Sequence, residues 1–234
     1  MRSYRQYCSV AKALDLVGDR WNLLIVRELL LRGACRYTDL LRGLPGIATN
    51  LLADRLRELE QAQIVSREQA PPPIATTLFR LTPRGEQLES VLVELGRWGA
   101  PLMTEPAEED AYRGHWLALP VQLYLEDREP DSPPVRIELR TGDEPITVET
   151  IDGSARTRPG PASDPDLILT GTPRLVLGVL TGRLDLATAR ASGLEYQGDT
   201  KTLRRLRPDA PQRADPDPAA PTPAVQLPSG NGNP

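Results

Sequence analysis

Histidine, lysine and cysteine are scarce in this chain, and the shortages of histidine and cysteine each remove a class of function. Among 234 residues there are one histidine and two cysteines. The lone histidine, His115, leaves no imidazole pair for a histidine-based metal site and no spare base for a Ser-His-acid set, so an exposed or structural histidine is expected there. The two cysteines, Cys8 and Cys35, cannot staple a fold of this size, which fits a reducing, cytoplasmic setting. Lysine occurs only at Lys12 and Lys201. The arginine bias that results, with abundant Ala, Leu and Pro, resembles a GC-rich coding sequence and is no functional signal by itself. No apolar run reaches the ~18 residues of a membrane span, and Met1 to Gln6 form no apolar leader. With no phosphate-cradling glycine loop, metal-ligand cluster or convergent nucleophile and base, neither an enzyme nor a bound cofactor is expected.

What charge there is lies unevenly. The chain carries a formal −4. Residues 1–104 hold fourteen basic against eleven acidic side chains, a balance of +3, and residues 105–234 hold fourteen against twenty-one, a balance of −7. A front half facing a polyanion and a back half with another task would divide in this way, with the positive charge local rather than spread.

The front half is organised around residues 47–59. Ile47, Leu51, Leu52, Leu56 and Leu59 recur at helical spacing and mark one buried stripe. Thr49, Asn50, Ala53, Arg55 and Arg57 occupy the rest of the surface, with side chains of the kinds that enter a major groove and hold phosphates. Taken alone, such a segment is most simply a solvated amphipathic helix. Its flanks argue otherwise. Before it, Arg36 to Leu44 reads as a short helix with Tyr37, Leu40, Leu41 and Leu44 inward, stopped by Pro45-Gly46. After it, 64–69 and 77–82 read as two strands around the stiff loop 70–76. Thr82 then caps a helix that has Pro83 at its first position. Helix, glycine turn, reading helix and β-wing make a winged helix-turn-helix unit that binds double-stranded DNA.

Cys8, Gly18-Asp19-Arg20-Trp21, Arg36-Tyr37-Thr38-Asp39-Leu40, Gly46-Ile47, Leu52 to Leu59 and Leu81-Thr82-Pro83-Arg84-Gly85 come in an order and spacing that resembles the HxlR family of bacterial transcription regulators. The resemblance covers about residues 5–104. It implies a homodimer, one reading helix per protomer, and a wing on the DNA backbone or minor groove. The chain departs from the family pattern at the wing, where 70–76 hold no Arg or Lys. The phosphate contacts therefore fall to Arg67 and Arg80 at the wing's base, with Arg36 and Thr38 at the start of the helix before the turn. In some family members a cysteine near the position of Cys8 senses oxidants or electrophiles; the alternative is a small apolar packing residue. Cys35 lies in a turn. Helices are expected over 8–17 and 20–31, with Asp19 available to cap the second. From Arg84 to Met103 a continuous amphipathic helix carries Leu88, Val91, Leu92, Leu95, Trp98 and Leu102, and its stripe is expected against a second copy of the chain.

Past a charged boundary at 104–110 the pattern changes. A helix around Trp116 to Leu125 breaks near Pro120. Strands alternate at 135–140, 145–150 and 154–158, a fourth lies at 166–171, and helices follow at 173–180 and 186–191. A short strand at 193–199 precedes a closing helix at 200–206. The run Asp166 to Gly171, helix, Leu180 to Leu184, helix, Gly193 to Asp199 resembles the sterol-carrier-protein-type lipid-binding fold over about 112–207. That resemblance implies an apolar cavity for a small hydrophobic ligand, with Trp116, Tyr124, Leu177 and Leu180 as lining; the alternative is a core filled by its own side chains. Residues 208–234 are too poor in apolar bulk to order themselves and read as a disordered tail.

The expected fold class is thus α+β. A winged helix-turn-helix DNA-binding and dimerisation domain (1–104) precedes a sterol-carrier-like α+β domain with a mostly antiparallel sheet (108–207). The expected function is a dimeric, operator-binding transcriptional regulator modulated by a small hydrophobic ligand. The alternatives are a thiol-based sensor acting through Cys8 and, from another class, a lipid carrier or modifying enzyme fused to a DNA-binding unit.

Overall fold

The fold is that of a computed structural model, which describes residues 3–71, 75–103 and 109–207. The tip of the proline loop, most of the charged boundary and the expected disordered tail lie outside the described residues. Among those described, no helix is long and apolar enough to cross a membrane.

The front half runs α1 (Ser9–Val17), α2 (Asn22–Arg32), β1 (Cys35–Arg36), α3 (Tyr37–Gly43), α4 (Thr49–Gln61), β2 (Val65–Gln69), β3 (Thr77–Leu81), α5 (Pro83–Glu86) and α6 (Leu88–Gly99). Its core joins Ile25 and Leu29 of α2, Leu40 of α3, Leu44, and the stripe Leu52, Leu56 and Leu59 of α4. The hairpin pairs β2 with β3 from Val65↔Leu81 to Gln69↔Thr77, and β1 adds to the free edge of β3. Cys35, expected in a turn, is therefore in a strand and buried. Thr82 caps α5 as expected, its hydroxyl accepting from the Gly85 N–H at 3.1 Å. Asp19 does not cap α2; its carboxylate pairs with Arg55.

The helix expected to run unbroken over 84–103 is two helices, interrupted at Gln87 and followed by a 3-10 turn at 100–102. The first is tied to the hairpin: Thr82 N–H donates to the Ile64 carbonyl, and a Cβ at Gly85 would lie 2.1 Å from that same oxygen. The second follows its own apolar stripe onto the core through Leu88 and Leu92. Leu92 is thus an inward residue. The side chains that α6 and the turn after it leave to solvent are Val91, Leu95, Trp98 and Leu102.

In the back half a 3-10 turn, Gly114–Leu117, leads into α7 (Ala118–Tyr124). β4 (Glu126–Asp127), β5 (Arg136–Arg140), β6 (Ile146–Ile151), β7 (Ser154–Pro159) and β8 (Leu167–Thr170) follow. Then come α8 (Pro173–Leu180), α9 (Leu186–Ala191), β9 (Glu195–Gly198), α10 (Thr202–Arg205) and β10 (Leu206–Arg207). Pro120 sits in the first turn of α7, where its missing N–H costs nothing, so the helix does not break there. The strands form one seven-stranded sheet in the order β10-β4-β7-β6-β5-β8-β9. Ile137, Leu139, Ile146, Val148, Leu167 and Leu169 face a helical layer that supplies Val121, Val176 and Leu180.

The sheet is mixed, a correction to the mostly antiparallel sheet expected. β5 and β8 lie parallel, Ile137 beside Leu167. The meander β5-β6-β7 is followed by a connection that crosses back over the outer face of the sheet. On the way Thr147 donates to the Gly160 carbonyl at 2.9 Å and Ala162 N–H donates to Glu138 at 2.9 Å. This crossing covers the polar Thr147 and Glu138, which are buried. The short strands β4 and β10, absent from the sequence reading, close the other edge. A bidentate pair holds them there, Arg205 Nε and Nη2 to Asp127 at 2.6 and 2.7 Å.

Candidate nucleic-acid interface

The turn between α3 and α4 is set by Gly46, whose φ of +87° is a conformation that favours glycine. Ile47 N–H donates to the Leu44 carbonyl at 3.2 Å inside this turn. Asp39 accepts from the Arg36 N–H at 3.0 Å and closes the start of α3. The Tyr37 hydroxyl donates to the Thr49 carbonyl, which fixes the first turn of α4 against α3. These local bonds present Thr49 and Asn50 at the exposed start of α4; Arg36 and Thr38 are also exposed, at the start of α3.

Ala53, Leu56 and Arg57 of α4 share a hollow with Tyr37, Glu60, and Arg67 and Phe79 of the hairpin. Arg57 and Arg67 therefore converge. Arg80 does not join them. Arg67 pairs with Phe79 in register, so Arg80, one residue on, points to the opposite face of the hairpin. There it lines a different hollow with Leu29, Gly33 and Glu86. Arg55 does not reach outward either: its guanidinium is held between Asp19 and Glu58 and ties α4 to the α1–α2 junction.

Carboxylates were the part of this surface that the apolar pattern did not reveal. Arg57 pairs with Asp54, Arg67 with Glu60 at 3.0 Å, and Arg80 with Glu68. Exposed ion pairs of this kind contribute only about 0–1 kcal/mol, so a phosphate can displace the carboxylate at small cost. Asp54, three residues before Arg57 on the same helix, was legible as an i,i+3 partner; Glu60 and Glu68 needed the fold.

The two cysteines differ. Cys8 is exposed at the N-cap of α1. Burial pushes the Cys35 thiol up to about 11, against a smaller lowering by Arg32. Of the residues expected to line a ligand cavity, Leu180 is fully buried in the back core, while Leu177 and Tyr124 are half-buried. Trp116 turns away from that core at its polar end, its Nε1–H donating to Glu28 of α2 at 2.8 Å. His115 is the structural histidine, buried and 2.7 Å from the same carboxylate. The sequence reading did not single out Glu28, although it falls in phase with Ile25 and Leu29, a position where a carboxylate calls for a partner.

A family described as HxlR-like helix-turn-helix matches residues 16–106. The HTH-type transcriptional regulator YodB of Bacillus subtilis (strain 168) is 36% identical over 96 residues, 41% of this chain and 84% of YodB. Rv3095 of Mycobacterium tuberculosis (strain ATCC 25618 / H37Rv), an uncharacterized HTH-type transcriptional regulator, is 38% identical over 98 residues, 42% of this chain and 61% of Rv3095. The solved structure of reduced YodB from B. subtilis is 34% identical, with a TM-score of 0.37 over 44% of this chain and all of that one. These relatives are named as regulators rather than enzymes, in keeping with the lack of a catalytic set in the sequence. The helix-turn-helix geometry and the extent of the match to YodB agree: the chain belongs to the HxlR family of helix-turn-helix transcriptional regulators.

Proposed function

We propose that the chain binds double-stranded operator DNA as a homodimer, with α4 in the major groove and the β2–β3 hairpin as its wing. The observation that carries this reading is the exposed start of α4, where Thr49 and Asn50 stand clear of the core beside the converging Arg57 and Arg67. Asn50 is suited to a base edge, and the two arginines to phosphates. Arg36, Thr38 and Ala53 flank that surface, and Arg80 serves only a strand that passes behind the hairpin. In this reading residues 1–104 are the DNA-binding and dimerisation domain. The apolar strip Val91, Leu95, Trp98 and Leu102 supports the dimer, because a contiguous exposed strip of this kind marks an interaction surface. Selection of duplexes from random-sequence DNA tests it. One enriched, two-fold symmetric motif is expected, and no enrichment over a scrambled pool overturns it.

Residues 108–207 are proposed as a sensing domain of sterol-carrier type for a small apolar molecule. Its support is the single-layer sheet under apolar helices, with Leu177 and Tyr124 half-buried at the edge of the core. A ligand at a hundred times its dissociation constant raises apparent stability by ~2.7 kcal/mol. A thermal-shift panel of fatty acids, sterols and aromatic metabolites on the full chain reads this, and a flat response across the panel removes the ligand. A second reading, favoured by the exposure of Cys8, in contrast to the buried Cys35, is a thiol sensor. Loss of DNA binding on oxidation that Cys8→Ser abolishes supports it.

A further inference from the structure

The two halves meet on the back of the helix-turn-helix, and the contact is made of polar groups with specific partners. Glu28 of α2 is fully buried. Its Oε2 lies 2.7 Å from His115 Nε2, and its Oε1 accepts from Trp116 Nε1 at 2.8 Å and from Arg27 Nη2 at 2.8 Å. The Arg27 guanidinium sits 4.3 Å from the centre of the Trp116 ring. Burial alone would raise the Glu28 carboxyl; the His115 hydrogen bond and the Arg27 charge outweigh it and hold it below the usual carboxylate range. His115 Nδ1 faces Arg32 Nη1 at 3.3 Å, and Arg32 also donates to Glu144 at 2.9 Å. A guanidinium only donates, so Nδ1 accepts and Nε2 carries the proton toward Glu28.

Two further contacts carry this cluster to the reading unit. A Cβ on Gly43, the last residue of α3, would lie 2.0 Å from Glu28 Oε2, so the end of α3 is seated directly on the carboxylate. Arg113 Nε donates to the Arg42 carbonyl at 3.1 Å, a carbonyl in the last turn of α3. Leu31, on the same helix as Glu28, packs in the core of the back half. The residues that end α3, just before the Pro45-Gly46 turn, are thus held at two adjacent positions, Arg42 and Gly43, by groups belonging to or bound by the back half.

We propose that Arg113, His115 and Trp116 are positioning residues for DNA binding, through which the back half sets the angle of the α3–α4 turn. A shift of the back half would be felt at that turn without any contact between the back half and DNA. The proposal rests on the DNA-binding reading above for its functional consequence, and on the geometry alone for its structural one.

Hydrogen–deuterium exchange on the full chain separates the two. In Arg113→Ala and Trp116→Phe the amides of 40–47 should exchange faster by roughly two- to tenfold, the equivalent of one hydrogen bond, while those of β5, β6 and β8 stay at wild-type rates. Arg113→Lys, which keeps a donor, should recover most of the loss. Glu144→Gln, at a half-exposed site, should show the same pattern more weakly. On a duplex obtained by selection, the affinity of Arg113→Ala should fall by a similar factor with an unchanged salt slope, because no phosphate contact is lost. Faster exchange confined to 112–118, with 40–47 unaltered, overturns the proposal. So does an altered salt slope, which would make Arg113 a phosphate contact. If no duplex is ever selected, the DNA-binding reading fails and the exchange result still decides whether the turn is held from behind.

Discussion

The two halves bury their charges in opposite ways. The front half keeps several arginine–carboxylate pairs at the surface: Arg57–Asp54, Arg67–Glu60 and Arg80–Glu68 are all partly open to water. The back half puts a pair inside, Arg205 with Asp127, and covers Glu138 with a crossing loop. Among the described residues the front half has one deeply buried carboxylate, Glu28, and its partners include His115 and Trp116 of the back half. Exposed pairs exchange partners cheaply, whereas buried ones fix geometry and are costly to break. On the proposed function, the front half's surface pairs are the ones that can be exchanged for a phosphate, while the back half's buried pair holds a shape.

The comparison breaks most visibly at the apolar strip of α6. Leu95→Glu with Trp98→Glu should leave only monomers in sedimentation experiments, since burial of each such side chain contributes roughly 1.5–3 kcal/mol. Dimers that survive the double change would place the interface elsewhere. Next in size is the back core, where Leu169→Ala should cost about 2–5 kcal/mol. If the halves are joined through Glu28, the front half's melting should shift with it; a separate, unshifted front-half transition would make the halves independent.

Smaller effects sharpen the reading of the surface. Asn50→Ala should relax base preference at one position per half-site by roughly 1–3 kcal/mol. Arg57→Ala should weaken binding alike on all sequences and reduce the salt slope by about one unit per protomer. Asp54→Asn, which releases Arg57 from its carboxylate, should tighten binding by about 0–1 kcal/mol, and weaker binding would mean that the pair orients the arginine.

Acid separates the halves least. Glu28 and Asp127 are both held below their ordinary values, Glu28 despite burial and Asp127 chiefly by the Arg205 hydrogen bonds. A depressed folded-state value stabilises above the unfolded pKa of about 4 and loses that contribution as pH falls through the lowered value. Acid titration followed by circular dichroism should therefore show no change from these groups between neutrality and about pH 5, and a loss below about pH 4. A transition near neutrality would point to another group.

Much of the front half was legible because its rules are local. A stripe at spacings of three and four gives α4, Thr82-Pro83 gives a capped helix start, and a glycine after proline gives the turn. The same reasoning placed Thr49 and Asn50 on the exposed face of α4. It erred where a periodic stripe serves two masters: Leu92 and Trp98 share one helix, yet one faces the core and the other faces solvent.

What the sequence by itself determined was the kind of most of the longer elements and which of their faces is apolar, since both are set by neighbours within a turn or two; the two-residue strands β1, β4 and β10, which exist only through their partners, were not legible. What only the tertiary structure decided was which surfaces meet. Arg67 and Arg80 part company because strand register puts them on opposite faces of a hairpin. β8 lies parallel to β5 because a loop crosses the sheet. Glu28 finds His115 and Trp116 across 87 and 88 residues of chain. Periodicity records that a side chain is turned inward; the partner waiting there is fixed only when distant segments close on each other, and no local pattern carries that information.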